Sequence, residues 1–576
     1  MQLRNCLWNL VFAYQASAAI YHSFDELKQN SFDFVIVGGG VAGNVLANRL
    51  PENPFWSVLV IEAGGPIDNV TELMIPAMAP RVAPNTRFDW NFSTTPQTAL
   101  NNRSIPVARG FALGGSSSIN FMVYTRGPAD DFNRLASITG DEGWSWKNIL
   151  PYIAKNENFN SPANGNTTQF DPSVHSFTGI NSVSLAGFPH PDIENRVIQA
   201  TQESAEFPFR HDMNSGNHLG IGWTQETVKD GKRSSSAVSY LGPQFIGRPN
   251  LNVLVNARVT RLLTREEGSV AFTRVELTQD AGNSFQQVTA TKEIILSARS
   301  LMSPHVLLHS GIGDSEDLTT LGIKTVHHLP SVGKNLTEHP FVPNSFQVNS
   351  NNTPDNAARD PALAQQILDE WTANKTGPLV DAPPVMIGWL RANESHEIFD
   401  RFGDPSAGNN SAHFEFVFGR LYRTHTFSIT GGTLRLNTSN PLDNPLIDYQ
   451  MLSSEFDRFI LREAIRSARR LLSLPAWNGF ILSATTNATT DEELDQYFAQ
   501  NARGIAHPVS TAAMSPRGAS WGVVDPDFKV KGVGRLRVVD ASTFPKIPTA
   551  HTQAPTYILA ERAADLIKET WFGDTS

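Results

Sequence analysis

Cysteine is almost missing: the chain of 576 residues contains one, Cys6. A lone thiol excludes an internal disulfide framework and any metal site built from several thiolates. A surplus of positive charge is missing too, since 46 Lys and Arg stand against 56 Asp and Glu, a net charge of −10. That balance argues against nucleic acid or an anionic membrane surface as partner. The one apolar run near the N-terminus, Leu7 to Ile20, is shorter than the roughly 20 residues a membrane span needs, so no membrane anchor is expected. No G-x-S-x-G elbow follows a strand, which removes a serine hydrolase. No H-x-x-x-H with an acid falls in a helical pattern, so no metal is expected. Internal repeats and clean linkers are also lacking, and stability must come from core size.

At the N-terminus, one arginine, an apolar stretch and Ala16-Ser17-Ala18 fit a secretory signal peptide over residues 1–18. It would carry away Cys6. Sequons at Asn69, Asn91, Asn102, Asn166, Asn335, Asn374, Asn393, Asn409, Asn437 and Asn487 suit a secreted glycoprotein. A monomer is expected.

Phe34 to Val37 is a short buried-strand run, followed at once by Gly38-Gly39-Gly40-Val41-Ala42-Gly43 and apolar positions at helical spacing. Gly38 permits the turn, Gly40 lets backbone approach a pyrophosphate, and Gly43 lets helix and strand pack closely. A second strand, Ser57 to Ile61, ends on Glu62, about 20 residues past the last glycine, where a ribose-binding carboxylate belongs. This is a dinucleotide motif that does not by itself separate FAD from NAD.

Residues Ala63 to Arg109 read as a long irregular excursion leading into a Gly/Ser stretch, Gly114 to Ser118, with little side-chain bulk. A helix is predicted over Trp144 to Glu157 and a loop over Asn158 to Pro191. Leu251–Val255, Val259–Leu263, Val270–Leu277 and Phe285–Ala290 predict an antiparallel meander. Glu293 to Ala298 reads as a separate buried parallel strand. Ser454 and Thr490 open helices, the second delivering the chain to His507. Leu536 to Asp540 is a strand ending in an acid, and Tyr557 to Ile567 a helix. The expected fold is α/β (α+β overall): a Rossmann-type domain with an inserted meander, plus a substrate domain with a mixed sheet and helices. The pieces are 31–110, 231–315 and 531–576 for the nucleotide domain, 111–230 for cofactor-contacting loops and a substrate-domain segment, and 316–530 for the substrate domain.

Several stretches together resemble the glucose-methanol-choline (GMC) family of FAD oxidoreductases over nearly the whole chain. They are Gly38 to Gly43 with Glu62, Leu113 to Asn120, Ser303 to Gly313, Val332 to His339, His507-Pro508, and Val539-Asp540 through His551-Thr552-Gln553. Within the family, Gly143 to Trp146, Ser515 to Lys531 and the two histidines are similar to fungal aryl-alcohol oxidases. The resemblance implies FAD, with Gly38, Gly40 and Gly43 around the pyrophosphate and Glu62 on the ribose. Val259 would lie on the adenine side. Arg109 and the run Gly114, Gly115, Ser116, Asn120, Phe121, Met122 and Val123 would lie along the cofactor, and Asp540, Ala541, Thr552 and Gln553 would approach it from the C-terminal side. His507 would be the base and His551 its partner on the substrate oxygen, with Phe121 and Phe418 lining the substrate pocket. An imidazole is largely neutral near pH 7 and can take a hydroxyl proton while flavin accepts the hydride.

This chain departs from the family at Arg299 and Ser510, where glycine is usual, at Phe111, where a basic residue is usual, and at Glu338, where aspartate is usual. Ala506 replaces an aromatic residue, which widens the pocket. Arg299 should either point outward or crowd the cofactor. The leading expectation is a secreted oxidase turning a primary aryl or allylic alcohol into an aldehyde, with O2 reduced to hydrogen peroxide. The alternatives are a dehydrogenase of secondary metabolism using a quinone-type acceptor, and an inactive flavoprotein.

Overall fold

The computed structural model describes residues 20–353, 355–419, 423–426 and 431–572. The signal-peptide assignment and Cys6 fall outside them. An eight-stranded sheet forms the centre of the nucleotide half. Ser31–Val37 lies between Val58–Ile61 and Gln286–Leu296, all parallel. The apolar runs of these strands are buried on both faces, as parallel sheets require.

Two strand assignments change. Leu251–Leu254 is not the first strand of the meander: it runs parallel to Val58–Ile61 and extends the central sheet, where Ile20–Tyr21 joins it. Its apolar run is short enough to read either way, and only the partner decides. Phe285–Ala290 and Glu293–Ala298 merge into one strand, Gln286–Leu296, with a register shift between Ala290 and Glu293. On one side its first half pairs antiparallel with Phe272–Thr278, and its last residues pair parallel with Leu536–Val538. The inserted meander and the last piece of the domain are thus tied by a single strand.

Helix Val41–Arg49 packs on the C-terminal helix Gln553–Phe572. Arg49 donates to Glu561 at 2.7 Å, and Tyr240 donates to the other oxygen of that buried carboxylate at 2.7 Å. The stretch expected to be irregular, 63–109, carries short helices and the pair Phe92–Ser93 with Pro106–Val107. The expected loop 158–191 contains Asn181–Leu185, which pairs parallel with Glu157–Phe159 and antiparallel with Gln225–Glu226.

The substrate half is built on a six-stranded sheet in the order Arg503–Gly504, Pro340–Pro343, Arg423–Thr426, Phe414–Gly419, Pro384–Leu390, Gly220–Trp223. Every pairing in it is antiparallel, and the smaller sheet around Asn181–Leu185 mixes the two directions. Helix Glu455–Leu472, capped by Ser454, covers one face. Because strand side chains alternate, Phe414, Phe416 and Phe418 go to that covered face and pack with Phe456, Phe459 and Ile460. Glu415 and Val417 face the other way.

Candidate active site

Glycines shape the dinucleotide turn. A Cβ on Gly43 would lie 1.9 Å from the Gly38 carbonyl oxygen, and one on Gly38, at φ +106°, would lie 2.5 Å from that of Ser297. Neither position tolerates a side chain. Glu62 ends its strand with one carboxylate oxygen accepting from Gly39 N–H and the other from Gly64 N–H, both at 2.8 Å. Burial nonetheless raises its pKa, against the Gly64 N–H bond. Gly114, at φ +85°, donates its N–H to the Gly39 carbonyl at 2.7 Å and so fastens the Gly/Ser stretch to the turn.

Two cavities meet here. The narrower, about 60 Å³, is lined by Gly38, Gly40, Glu62, Gly115 and Val259, with Trp90 and Phe92. The larger, about 400 Å³, is lined by Ser116, Asn120, Phe121, Met122, Val123, Asp540, Ala541, Thr552 and Gln553, and by both His507 and His551. Arg109, Ser297 and Arg299 line both. Gly43 and Gly114 line neither; they hold the wall from behind. Phe111, in place of a cation, packs edge-on against Trp90 at 4.8 Å between centroids. Phe418 lies outside the cavity, on the core face of its sheet, and Val417 takes the cavity-facing position.

The two histidines come from segments 44 residues apart in sequence and meet with ring centroids 4.9 Å apart and planes at 76°. His507 stands on a loop held by Glu338, whose two carboxylate oxygens accept the His507 N–H at 2.8 and 3.0 Å. Burial pushes the Glu338 carboxyl up to about 7, with the His507 and His339 N–H groups and the Arg109 charge opposing. Nδ1 of His507 bonds Nδ1 of His339 at 3.0 Å. His551 is held from the sheet side: its Nε2 bonds Glu415 at 3.0 Å, and its N–H donates to Thr125 Oγ1 at 2.9 Å. Trp389 stands behind, stacked on His218 at 4.6 Å, and burial lowers the His218 pKa to about 3, keeping that ring neutral.

Sequence reasoning missed Glu415, His339 and Thr125 as supports. A signal for Glu415 existed: a carboxylate alternating with three phenylalanines on one strand must face something polar. His339 lies in one of the family-like stretches, but nothing in sequence places it beside residue 507.

Backbone strain marks the positions where glycine is usual. Arg299 has φ +71° and Ser510 φ +76°, both left-handed, and Ala506 beside His507 has φ +67°. The conformation that suits glycine is kept although the side chain is not. Arg299 does not point outward. Its guanidinium enters the groove, where a Cβ on Gly40 would lie 2.9 Å from Nη2. The glycine cradle, the strand-end carboxylate of Glu62 and a cation whose buried Nη2 is unpartnered fit a dinucleotide with an anionic centre.

Comparison with known proteins agrees with this geometry. The GMC oxidoreductase family model matches residues 32–341 with its N-terminal part and 429–560 with its C-terminal part. The dehydrogenase eriK of Hericium erinaceus is 39% identical, over 97% of this chain and 98% of its own length. Pyranose dehydrogenase 3 of Leucoagaricus meleagris is 39% identical, over 98% of this chain and 97% of its own. Among solved structures, an FAD-dependent oxidoreductase from Chaetomium thermophilum superposes with a TM-score of 0.84 at 28% identity, covering 94% of this chain and 99% of that one. A fungal aryl-alcohol oxidase does so at 0.82 and 25%, covering 94% and 100%. The chain belongs to the GMC oxidoreductase family, and FAD is its cofactor.

Proposed function

We propose that the protein oxidises a primary alcohol borne on a flat aromatic or allylic group to the aldehyde, and delivers the electrons to a quinone-type acceptor. The observation that carries this reading is the pair of imidazoles, His507 and His551, meeting at 4.9 Å on one wall of the larger cavity. FAD, when bound, accepts a hydride from the alcohol carbon. The proton falls to the chain. With Nδ1 engaged by His339, Nε2 of His507 is the atom assigned to take the hydroxyl proton. His551, fixed by Glu415 and Thr125, stands beside the same oxygen and steadies its developing charge. Phe121, Phe341 and Val417 supply apolar wall that excludes water and suits a flat substrate. Asn120 and Gln553, bonded to each other, supply the polar patch.

A dehydrogenase is preferred over the oxidase expected from sequence because the relatives at 39% identity carry that name. The oxidase, giving hydrogen peroxide, is the second reading, favoured by the likeness to the aryl-alcohol oxidase structure. Action outside the cell is supported by the sequons: every one of those asparagines is exposed except Asn166, which is half-buried. No described helix is long and apolar enough to cross a membrane.

The test is an anaerobic titration with benzylic, allylic and aldopyranose substrates, following flavin bleaching near about 450 nm, a property of the cofactor. Bleaching by benzylic or allylic alcohols, with a quinone reoxidising the enzyme faster than air, is expected. Peroxide formed at the full turnover rate moves the assignment to the oxidase, bleaching by sugars alone moves the substrate class, and no bleaching by any alcohol ends the proposal.

A further inference from the structure

Arg299 is half-buried at the junction of the two cavities with its Nη2 buried, and among the described residues its guanidinium makes no ion pair. Among the described residues it donates to Ser116 Oγ, while Nη2 has no partner. The nearby carboxylates are committed elsewhere. Both oxygens of Glu62 accept backbone N–H groups, and Asp540 accepts the Arg299 N–H at 2.8 Å and the Ser303 hydroxyl. A cation whose buried Nη2 has no ion-pair partner is costly, and this one also holds a left-handed backbone that arginine disfavours.

The surroundings also add positive potential, which Glu62 and Asp540 offset only in part. Arg109 lines the same junction, and burial, reinforced by the Arg109 charge and opposed by Glu62 and Asp540, lowers the Arg299 pKa to about 10, so it remains a cation at neutral pH. The eleven-residue helix Arg299–His309 begins here, and the N-terminus of helix Val41–Arg49 opens on the same cavities through Gly40 and Val41. Helix N-termini carry partial positive charge. Ser300, the next residue, adds a buried hydroxyl with no partner.

We propose that Arg299 is a cofactor anchor: its guanidinium swings from Ser116 to pair with the diphosphate of FAD, opposite the glycine turn. A guanidinium is suited to bidentate bonds with phosphate oxygens. The side chain that obstructs the groove on steric grounds is then the group that neutralises its ligand. This rests on FAD as cofactor and not on the substrate or acceptor assigned above.

The experiment uses purified holoenzyme and reads flavin fluorescence as FAD leaves after dilution, so turnover plays no part. Arg299→Gln should release FAD at least tenfold faster than the parent, Arg299→Lys less than threefold faster. Arg299→Gly relieves the backbone yet should release FAD as fast as the glutamine variant. Release from the parent should accelerate with NaCl more steeply than release from Arg299→Gln, because one phosphate contact is gone. Glutamine or glycine variants that hold FAD as tightly as the parent, or more tightly, would overturn the proposal and make Arg299 an obstruction. Equal salt slopes would overturn it as well. If the glycine variant does not fold, the lysine and glutamine pair decides alone.

Discussion

The nucleotide groove and the histidine chamber share a wall but are made by different means. The groove is a property of backbone: Gly38 and Gly43 work by having no side chain, and Glu62 is fastened by the N–H groups of Gly39 and Gly64. The chamber is a property of side chains from four separate stretches, Glu338-His339, Glu415, His507 and His551. A backbone site tolerates almost no substitution and fails as a whole. A side-chain site loses one function at a time.

The largest effect that contrast predicts is at Gly43. Alanine there drives Cβ to within 1.9 Å of the Gly38 oxygen, so helix and turn must part and the purified protein should carry no flavin. Normal absorbance of bound flavin in Gly43→Ala would show that the turn is less rigid than its contacts imply. Next comes His507→Ala, which should leave the yellow cofactor in place while turnover drops about 10²- to 10⁴-fold, the usual contribution of a general base. Loss of flavin from that variant would mean the two regions are not separable.

How much of each region could be read in sequence follows the same line. The strand, turn, helix and acid of residues 34–62 are contiguous, so their order alone reveals a dinucleotide turn. Leu251–Leu254 reads as meander in sequence and pairs in the central sheet, because a short apolar run does not name its partner. Resemblance puts Phe418 in the pocket, although the alternation Phe-Glu-Phe-Val-Phe in 414–418 shows that Phe418 and Val417 face opposite ways. Glu415 behind His551 and His339 behind His507 are pairings at long range that no local pattern states.

Glu338 tests how the chamber answers to pH. Its carboxyl is near 4.5 when unfolded and about 7 when folded, because burial disfavours the charge. A carboxyl raised on folding adds stability that is complete below about 4.5 and is lost as pH rises through 7. The loss amounts to about 3 kcal/mol, at roughly 1.4 kcal/mol per pH unit of difference. Denaturant titrations between pH 4.5 and 8 should show that fall in the parent and a flatter profile in Glu338→Gln. Parallel profiles would remove Glu338 as the titrating group and leave it a plain support for the His507 N–H.

Ser510 gives the smallest effect and the sharpest comparison, because the same backbone conformation recurs on the other side of the wall at Arg299. Both residues are left-handed where glycine is usual, a strain of about 1–2 kcal/mol for an ordinary side chain. Ser510 also buries a hydroxyl with no partner, which adds to the cost. Glycine would remove both penalties and return about 0.4–1 kcal/mol to the freedom of the unfolded chain. Ser510→Gly should therefore gain about 1 kcal/mol, seen as a higher temperature of flavin release with turnover unchanged in order of magnitude. At Arg299 the same replacement relieves the same strain, yet the release temperature should fall, because a charge facing the cofactor goes with it. If both glycine variants are stabilised, the two positions differ in nothing but size, and the cation in the groove has no task.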